Sequence, residues 1–199
     1  MKNNNPIRCV LISVYNPYSI LKFLNKLYKK DISLLSTESI YDILTNNSIN
    51  STNISDYVQF PNIIINNINL LHPRIHAGVA GRRIKDHSDM LYNRVVPIDM
   101  ICVDLIPFEK LIKSKNIKLR EIMKKIDIGN LSLIKSSIIN YKEVAIVINN
   151  HDNIIKEMNN NNNCITLKTK LELAEKAFVY SVEYEKKILD YLKKYKHII

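Results

Sequence analysis

Cysteine is scarce in this chain of 199 residues, and the three present, Cys9, Cys102 and Cys164, are scattered. No CxxC pair and no Cys/His ligand spacing occurs, which argues against a zinc site. Cys9 and Cys102 lie inside apolar runs and read as buried thiols rather than nucleophiles. No apolar run approaches the ~18 residues that a membrane span requires. The short polar stretch Met1 to Pro6 does not read as a signal peptide. The resulting expectation is a soluble, cytoplasmic protein with no membrane partner. No internal repeat and no linker-like segment is visible, so residues 1–199 are expected to form a single domain, large enough for one sizeable core.

What is abundant is isoleucine, about one residue in six, and asparagine, about one in eight. With lysine also plentiful, a bias toward A/T-rich codons explains the composition. It exchanges Val or Leu for Ile and Arg for Lys at little structural cost. Hydrophobic content of 46% suits a globular chain. The formal charge of +10 raises the question of nucleic acid. The charges do not form a stripe interleaved with aromatics, so nucleic acid is not the expected partner. Lys29-Lys30 is only a pair at a helix end, and Lys193, Lys194 and Lys196 read as a solvated helix face. A phosphorylated small substrate would use the same charge with fewer residues.

The pattern opens β-α-β-α. Arg8 to Val14 is an apolar run expected as a buried strand, and Ser19 to Lys30 carries a helical stripe of Ile20, Leu21, Phe23, Leu24 and Leu27. Ile32 to Leu35 reads as a second strand. Ser36 or Thr37 is placed to cap a helix over Ser39 to Leu44. Such an opening implies parallel strands with right-handed crossovers. Thr45 to Asn69, interrupted by Ile63-Ile64-Ile65, reads as irregular with one short ordered element. Pro73 fits a first helical turn. Pro97 to Leu105 reads as the central strand, followed by helices over Phe108 to Lys113, Lys118 to Lys125 and Leu131 to Asn140, and a strand over Val144 to Ile148. His151 to Met158 reads as a helix running into the low-complexity loop Asn159 to Asn163. Leu167 to Tyr195 reads as a long amphipathic helix with Leu171, Ala174, Ala177, Phe178, Ser181 and Tyr184 packed into the core. The fold class is therefore α/β: a three-layer α/β/α domain with a mainly parallel sheet, core about 8–150, and a C-terminal helical segment about 165–195.

Several segments, in order, resemble the IMP cyclohydrolase domain of the bifunctional enzyme that ends de novo purine synthesis. Leu11-Ile12-Ser13-Val14 is similar to the start of the family's ISVSDKTG. Leu34-Leu35-Ser36-Thr37 is similar to its LSTGGT, with Glu38 and Ser39 where the glycines stand. Phe60-Pro61 matches a TGFPE-like turn. Asn67 to Val79 resembles RVKTLHPKIHGGI, kept almost whole from Leu71 to Gly78. There Asn67 replaces the arginine, Asn69 the catalytic lysine and Leu70 the threonine. Asp104-Leu105-Ile106-Pro107-Phe108 resembles NLYPF, with Ile106 replacing the active-site tyrosine. Ile126-Asp127-Ile128-Gly129-Asn130 resembles IDIGG. Ser136 to Tyr141 resembles AAAKNH, keeping Asn140 and placing Ile139 at the lysine. Leu173-Ala174-Glu175-Lys176-Ala177-Phe178 with Tyr184 resembles the family's LAxKAF…Y helix.

The resemblance covers about residues 8 to 195 and implies a methylglyoxal-synthase-like fold. It also implies dehydrative ring closure of formamido-imidazole-carboxamide ribonucleotide to IMP, a purine ribonucleotide as substrate, and no cofactor. The family's formyltransferase half is expected to be absent, with a separate formyltransferase as a possible partner and a homodimer as the assembly. Ring closure is intramolecular, so positioning supplies much of the rate. It still needs donors for the formyl oxyanion and groups to move protons. Asp127 is the surviving candidate for proton transfer or amide orientation, and reads equally as a helix N-cap. Asn69 offers a neutral donor to the oxyanion, or is simply a loop asparagine. Ser13, Ser36, Thr37, Asn67, Asp104, Ile128, Gly129 and Asn140 complete the expected substrate site. His72 and His76 lie four apart but lack a third ligand, so no metal is expected. Two other readings stand beside this one. One is a catalytically impaired relative that retains nucleotide binding or assembly. The other is a ligand-sensing domain of methylglyoxal-synthase type.

Overall fold

The computed structural model describes residues 5–60, 68–112, 119–148 and 151–196. Strand β1 (Cys9–Ser13) is followed by a 3-10 turn over Pro17–Ile20 and helix α1 (Leu21–Tyr28). Then come β2 (Ser33–Ser36), α2 (Glu38–Asn46), β3 (Thr52–Asn53) and α3 (Ile54–Val58). A second 3-10 turn over Ile68–Leu71 leads into α4 (Pro73–Ala80) and α5 (His87–Tyr92). The second half comprises β4 (Met100–Val103), α6 (Phe108–Ile112), α7 (Leu119–Met123), α8 (Ile128–Ile139), β5 (Ala145–Val147), α9 (His151–Asn160) and α10 (Leu167–Lys196).

The five strands form one sheet in the order β3-β2-β1-β4-β5, and every neighbouring pair is parallel. β1, β4 and β5 are buried throughout because helices cover both faces, which is why they read as unbroken apolar runs. Side chains alternate between the two layers. Leu11, Ile101 and Val103 pack with α3, α4, α8 and α10 on one face. Val10, Ile12, Met100 and Cys102 pack with α1, α2 and α9 on the other.

The chain winds outward from β1 to β3 and then returns to lay β4 against β1's other edge. Where the winding direction reverses, a crevice opens beyond the C-terminal strand ends. Ser13 pairs with Val103 in register, so the residues after Ser13 and after Val103 form the two walls.

Three details differ from the sequence reading. The segment expected to be irregular supplies the edge strand β3 and the short helix α3; Pro61 and Ile63-Ile64-Ile65 lie outside the described residues. Helix α8 begins at Ile128, three residues early, because Asp127 caps it by accepting from Asn130 N at 2.9 Å. α10 does not bury its whole apolar stripe: Ala174, Ala177, Ser181 and Tyr184 are buried, whereas Leu171 and Phe178 are half exposed.

The opposite, N-terminal end of the sheet is held by charge that is mostly, and at Lys170 fully, buried. The Arg83 guanidinium donates to Gly78 O at 2.9 Å, Gly81 O at 3.0 Å and Ile98 O at 2.6 Å. Its Nε lies 3.8 Å from Asp99 Oδ1. Asp99 Oδ2 in turn accepts from Arg8 N and Cys9 N, at 2.9 and 3.1 Å. Lys170, also buried, donates to Lys142 O at 3.2 Å and Glu143 O at 3.1 Å. Gly78 is required here, because a Cβ would meet Val96 O at 2.6 Å.

Histidines make the fold acid-sensitive. His72 caps α4, its Nδ1 accepting from Arg74 N at 3.1 Å, and His76 Nδ1 lies 2.8 Å from Ser136 Oγ on α8. Burial, and for His72 the nearby Arg74 charge, pushes both below their usual value of 6.5; burial does the same to His151. A lowered folded value means that the histidines' contribution to stability is complete above 6.5 and is lost as pH falls through the folded values. Thermal melts between about pH 7 and pH 5 should therefore show a falling midpoint, with a shallower slope in His72→Asn, which keeps the capping acceptor without the titration.

Candidate active site at the sheet switch point

Beyond the ends of β1 and β4, two carboxylates and one carboxamide meet. The Asn130 side-chain NH2, at the first turn of α8, donates to Asp127 Oδ2 at 2.8 Å, Asp104 O at 2.9 Å and Ser13 O at 3.3 Å. Asp127 Oδ1 simultaneously accepts the Asn130 backbone N–H. Asp104 accepts the backbone N–H of Tyr15, which ties the loop after β1 to the loop after β4. Asn130 Oδ1 is buried and has no partner among the described residues.

Two tyrosines of α10 close the arrangement from the side. Tyr180 OH accepts from Leu105 N at 2.9 Å, next to Ile106. Tyr184 is pushed up to about 12 by burial and by the Asp127 charge. Asp104 is raised above its usual value of 3.8, chiefly by burial and further by Asp127, although the Tyr15 N–H partly offsets this. Two neighbouring carboxylates in unequal surroundings can divide proton donation and acceptance between them.

Ionised Asp104 opposes folding, so the contribution of this one group to stability is greatest below 3.8 and declines as pH rises through its raised folded value. Asp104→Asn keeps an acceptor for the Tyr15 N–H and removes the disfavoured charge. The variant is expected to melt higher than wild type near neutral pH, with that gap closing as pH approaches 4.

The expected site residues divide into groups. Ser13, Ser36, Thr37, Asp104, Asp127, Ile128 and Gly129 all stand at the C-terminal end of the sheet, on adjacent strands or at the start of α8. Thr37 occupies the N-cap position of α2, but its hydroxyl makes no capping bond, contrary to the expected cap. Its backbone does the joining: Thr37 N donates to Ile12 O and Thr37 O accepts from Tyr41 N. Ser36 Oγ is paired with Ser51 Oγ at 3.0 Å. Asn69 lies toward the β3 edge of the same end, but its NH2 is spent on Ser55 Oγ at 2.9 Å and Phe60 O at 3.0 Å. The expected oxyanion donor is thus engaged in holding the 3-10 turn against α3.

Asn140 is not with the others. It ends α8, a 12-residue helix about 18 Å long, and donates to Val79 O at 2.7 Å below α4. It braces two helix ends at the far side of the sheet. Asn67 lies outside the described residues. His72 and His76 are committed to the cap and to Ser136, and no three His, Cys, Asp or Glu side chains gather as metal ligands among the described residues. No helix among them is long and apolar enough to cross a membrane.

Sequence reasoning missed Asn130, Tyr180 and the proximity of Tyr184 to the Asp127 charge. The available signal for Asn130 was the single departure from IDIGG: a polar side chain in the first turn of a helix, beside a capping aspartate.

A parallel sheet wound in both directions from β1 is the doubly wound α/β class, whose crevice opens at the switch point beyond the strand ends. The chain belongs to the MGS-like domain family, which it matches over residues 19–132. Residues 138–198 match the AICARFT/IMPCHase bienzyme family, so the two matches follow one another along the chain as the resemblance requires. A solved structure, described as the crystal structure of ForH, superposes with a TM-score of 0.78 at 20% identity, over 92% of this chain and 97% of that one. That likeness concerns the fold.

Proposed function

We propose that the chain is an IMP cyclohydrolase-like protein: it holds an open-ring purine ribonucleotide in the switch-point crevice and promotes its closure to IMP. The supporting observation is the Asp104–Asn130–Asp127 constellation at the ends of β1 and β4. In this reading the carboxamide nitrogen of the substrate attacks its own formyl carbon, and water leaves. Asp127 orients the attacking amide, with the unpaired Asn130 Oδ1 as a second acceptor. Asp104, raised by burial, passes two protons in turn to the departing oxygen, first the one lost by the amide and then the one lost by the formamido nitrogen, so that the oxygen leaves as water. The first turn of α2, which the Thr37 hydroxyl leaves uncapped, offers backbone N–H groups for the 5′-phosphate. Glu38 in that same turn competes with the anion, which predicts weaker phosphate affinity than a glycine there would give.

One observation favours the second reading, a relative that binds nucleotide without turnover. At the position of the family's lysine, the Asn69 NH2 is consumed by Ser55 and Phe60. The experiment that decides is direct. Purified chain is incubated with the formylated ribonucleotide, and IMP formation is followed against the buffer rate. Turnover that falls by roughly a hundredfold in Asp127→Asn supports the first reading. A buffer rate together with saturable IMP binding selects the second, and neither turnover nor binding rejects both.

We also read the chain as a homodimer, and the half-exposed Leu171, Phe178, Val182 and Leu189 of α10 suit such an interface.

A further inference from the structure

The two sequence features that the crevice leaves unused, the Lys29-Lys30 pair and the asparagine tract 159–163, come together in the fold. Helices α1 and α9 lie side by side on one face of the sheet, and both end at its N-terminal edge, remote from the switch point. Between the C-terminal half of α1 and the length of α9, from its first turn at Asp152 to its last at Asn159, lies an open cleft of about 540 Å³. Lys26, Lys29 and Lys30 line one wall, and Asp152, Lys156 and Asn159 the other. Buried Ile155 lies between them.

The charge in this cleft exceeds what the local structure needs. The carbonyl ends of two helices attract cations, each equivalent to about half a negative charge. Lys26 answers Asp152 at 3.4 Å, and Lys30 donates to Asn163 Oδ1 at 3.0 Å. The ammonium groups of Lys29 and Lys156 have no partner among the described residues. Four lysines against one aspartate and two helix ends leave about two positive charges uncompensated. Like charges facing one another across a concave surface repel, and a multivalent anion placed between them relieves that repulsion.

The geometry points to a binding site for an oligophosphate, a di- or triphosphate chain either free or carried on a nucleotide. The volume suits a compact ligand. No aromatic ring is among the residues lining the cleft, so nothing there stacks a base and the phosphate chain itself is what is recognised. Asn159 adds a neutral carboxamide donor to the four ammonium groups, and Asn163 already orients Lys30. The left-handed backbone of Asn162 and Asn163 turns the tract back toward β1, where Ile7 N donates to Asn163 O at 2.9 Å. The tract is thereby fixed at the mouth of the cleft.

The test is calorimetric titration of the full chain with tripolyphosphate, ATP, adenosine and a single-stranded oligonucleotide, repeated on Lys29→Gln/Lys30→Gln/Lys156→Gln. All three lysines reach solvent, so the variant keeps its core. Tripolyphosphate and ATP should bind with affinities equal within about threefold, weaken as salt is added, and lose roughly tenfold or more in the triple variant, while adenosine does not bind. IMP binding at the switch point should be unchanged in that variant, which separates this site from the crevice. The proposal is overturned if tripolyphosphate shows no saturable binding by about 1 mM. It is equally overturned if the variant binds tripolyphosphate as wild type does, or if a single-stranded oligonucleotide binds where tripolyphosphate does not.

Discussion

Asn130→Ala should destabilise the fold by about 2 kcal/mol and weaken nucleotide binding at the crevice by at least roughly tenfold. The Asn130 NH2 is shared by acceptors from three separate elements: the end of β1, the loop after β4, and the cap of α8. Alanine leaves Asp104 O and Asp127 Oδ2 without that donor in a site where burial already penalises charge. It also releases the two loops whose separation defines the crevice. Asn130→Asp should be worse at neutral pH, because a third carboxylate then faces Asp104 and Asp127. Protonation relieves that repulsion, so the Asp variant should recover stability relative to the Ala variant as pH falls toward 4. Equilibrium urea unfolding at two pH values checks both statements. Equal stability of wild type and Asn130→Ala would remove Asn130 as the brace of the site.

At the other end of the sheet, Arg83→Ala is expected to cost about 3 kcal/mol, a large share of the 5–15 kcal/mol typical of a domain. The guanidinium satisfies carbonyls from the α4 C-terminus and from the approach to β4, and lies beside Asp99. Gly78 O retains a second donor, Ile98 N, and Gly81 O receives the Asn140 amide at 3.3 Å. The main losses are therefore Ile98 O and the cation near a mostly buried Asp99 carboxylate. Arg83→Lys should recover only part of the loss, because one ammonium cannot reach three carbonyls in a fixed fork. Both variants should bind nucleotide with wild-type affinity while folded, since the crevice lies at the opposite edge. A melting midpoint unchanged in Arg83→Ala would contradict the assignment of this cluster as the clamp between α4 and β4.

The contrast between these two positions shows what the sequence could convey. The central strands were legible because a parallel strand covered on both faces is apolar over its buried length, as residues 9–12 and Ala145–Val147 are. β3 was not legible: a two-residue edge strand of Thr52 and Asn53 carries no periodicity. The position of Asp127 was legible from both its capping role and the family resemblance, and the two coincide in one side chain. Asn130 escaped notice because likeness to a family directs attention to what matches, and the brace is the residue that departs. Asn69 and Asn140 were assigned to the substrate by the same likeness. Their amides instead serve partners 14 and 61 positions away, contacts that no local pattern encodes. Arg83 and Lys170 gave no signal for a related reason, since backbone carbonyls brought in by folding are what make a buried cation tolerable.

The central claim is that the ends of β1 and β4 form a purine ribotide site. Its most direct measurement is a titration of the isotope-labelled chain with IMP, read from backbone amide resonances. Saturable shifts confined to Tyr15, Thr37, Asp104 and Asn130, with Lys29 and Lys156 unmoved, are the predicted result. No saturable shift, or shifts centred away from those strand ends, would contradict it.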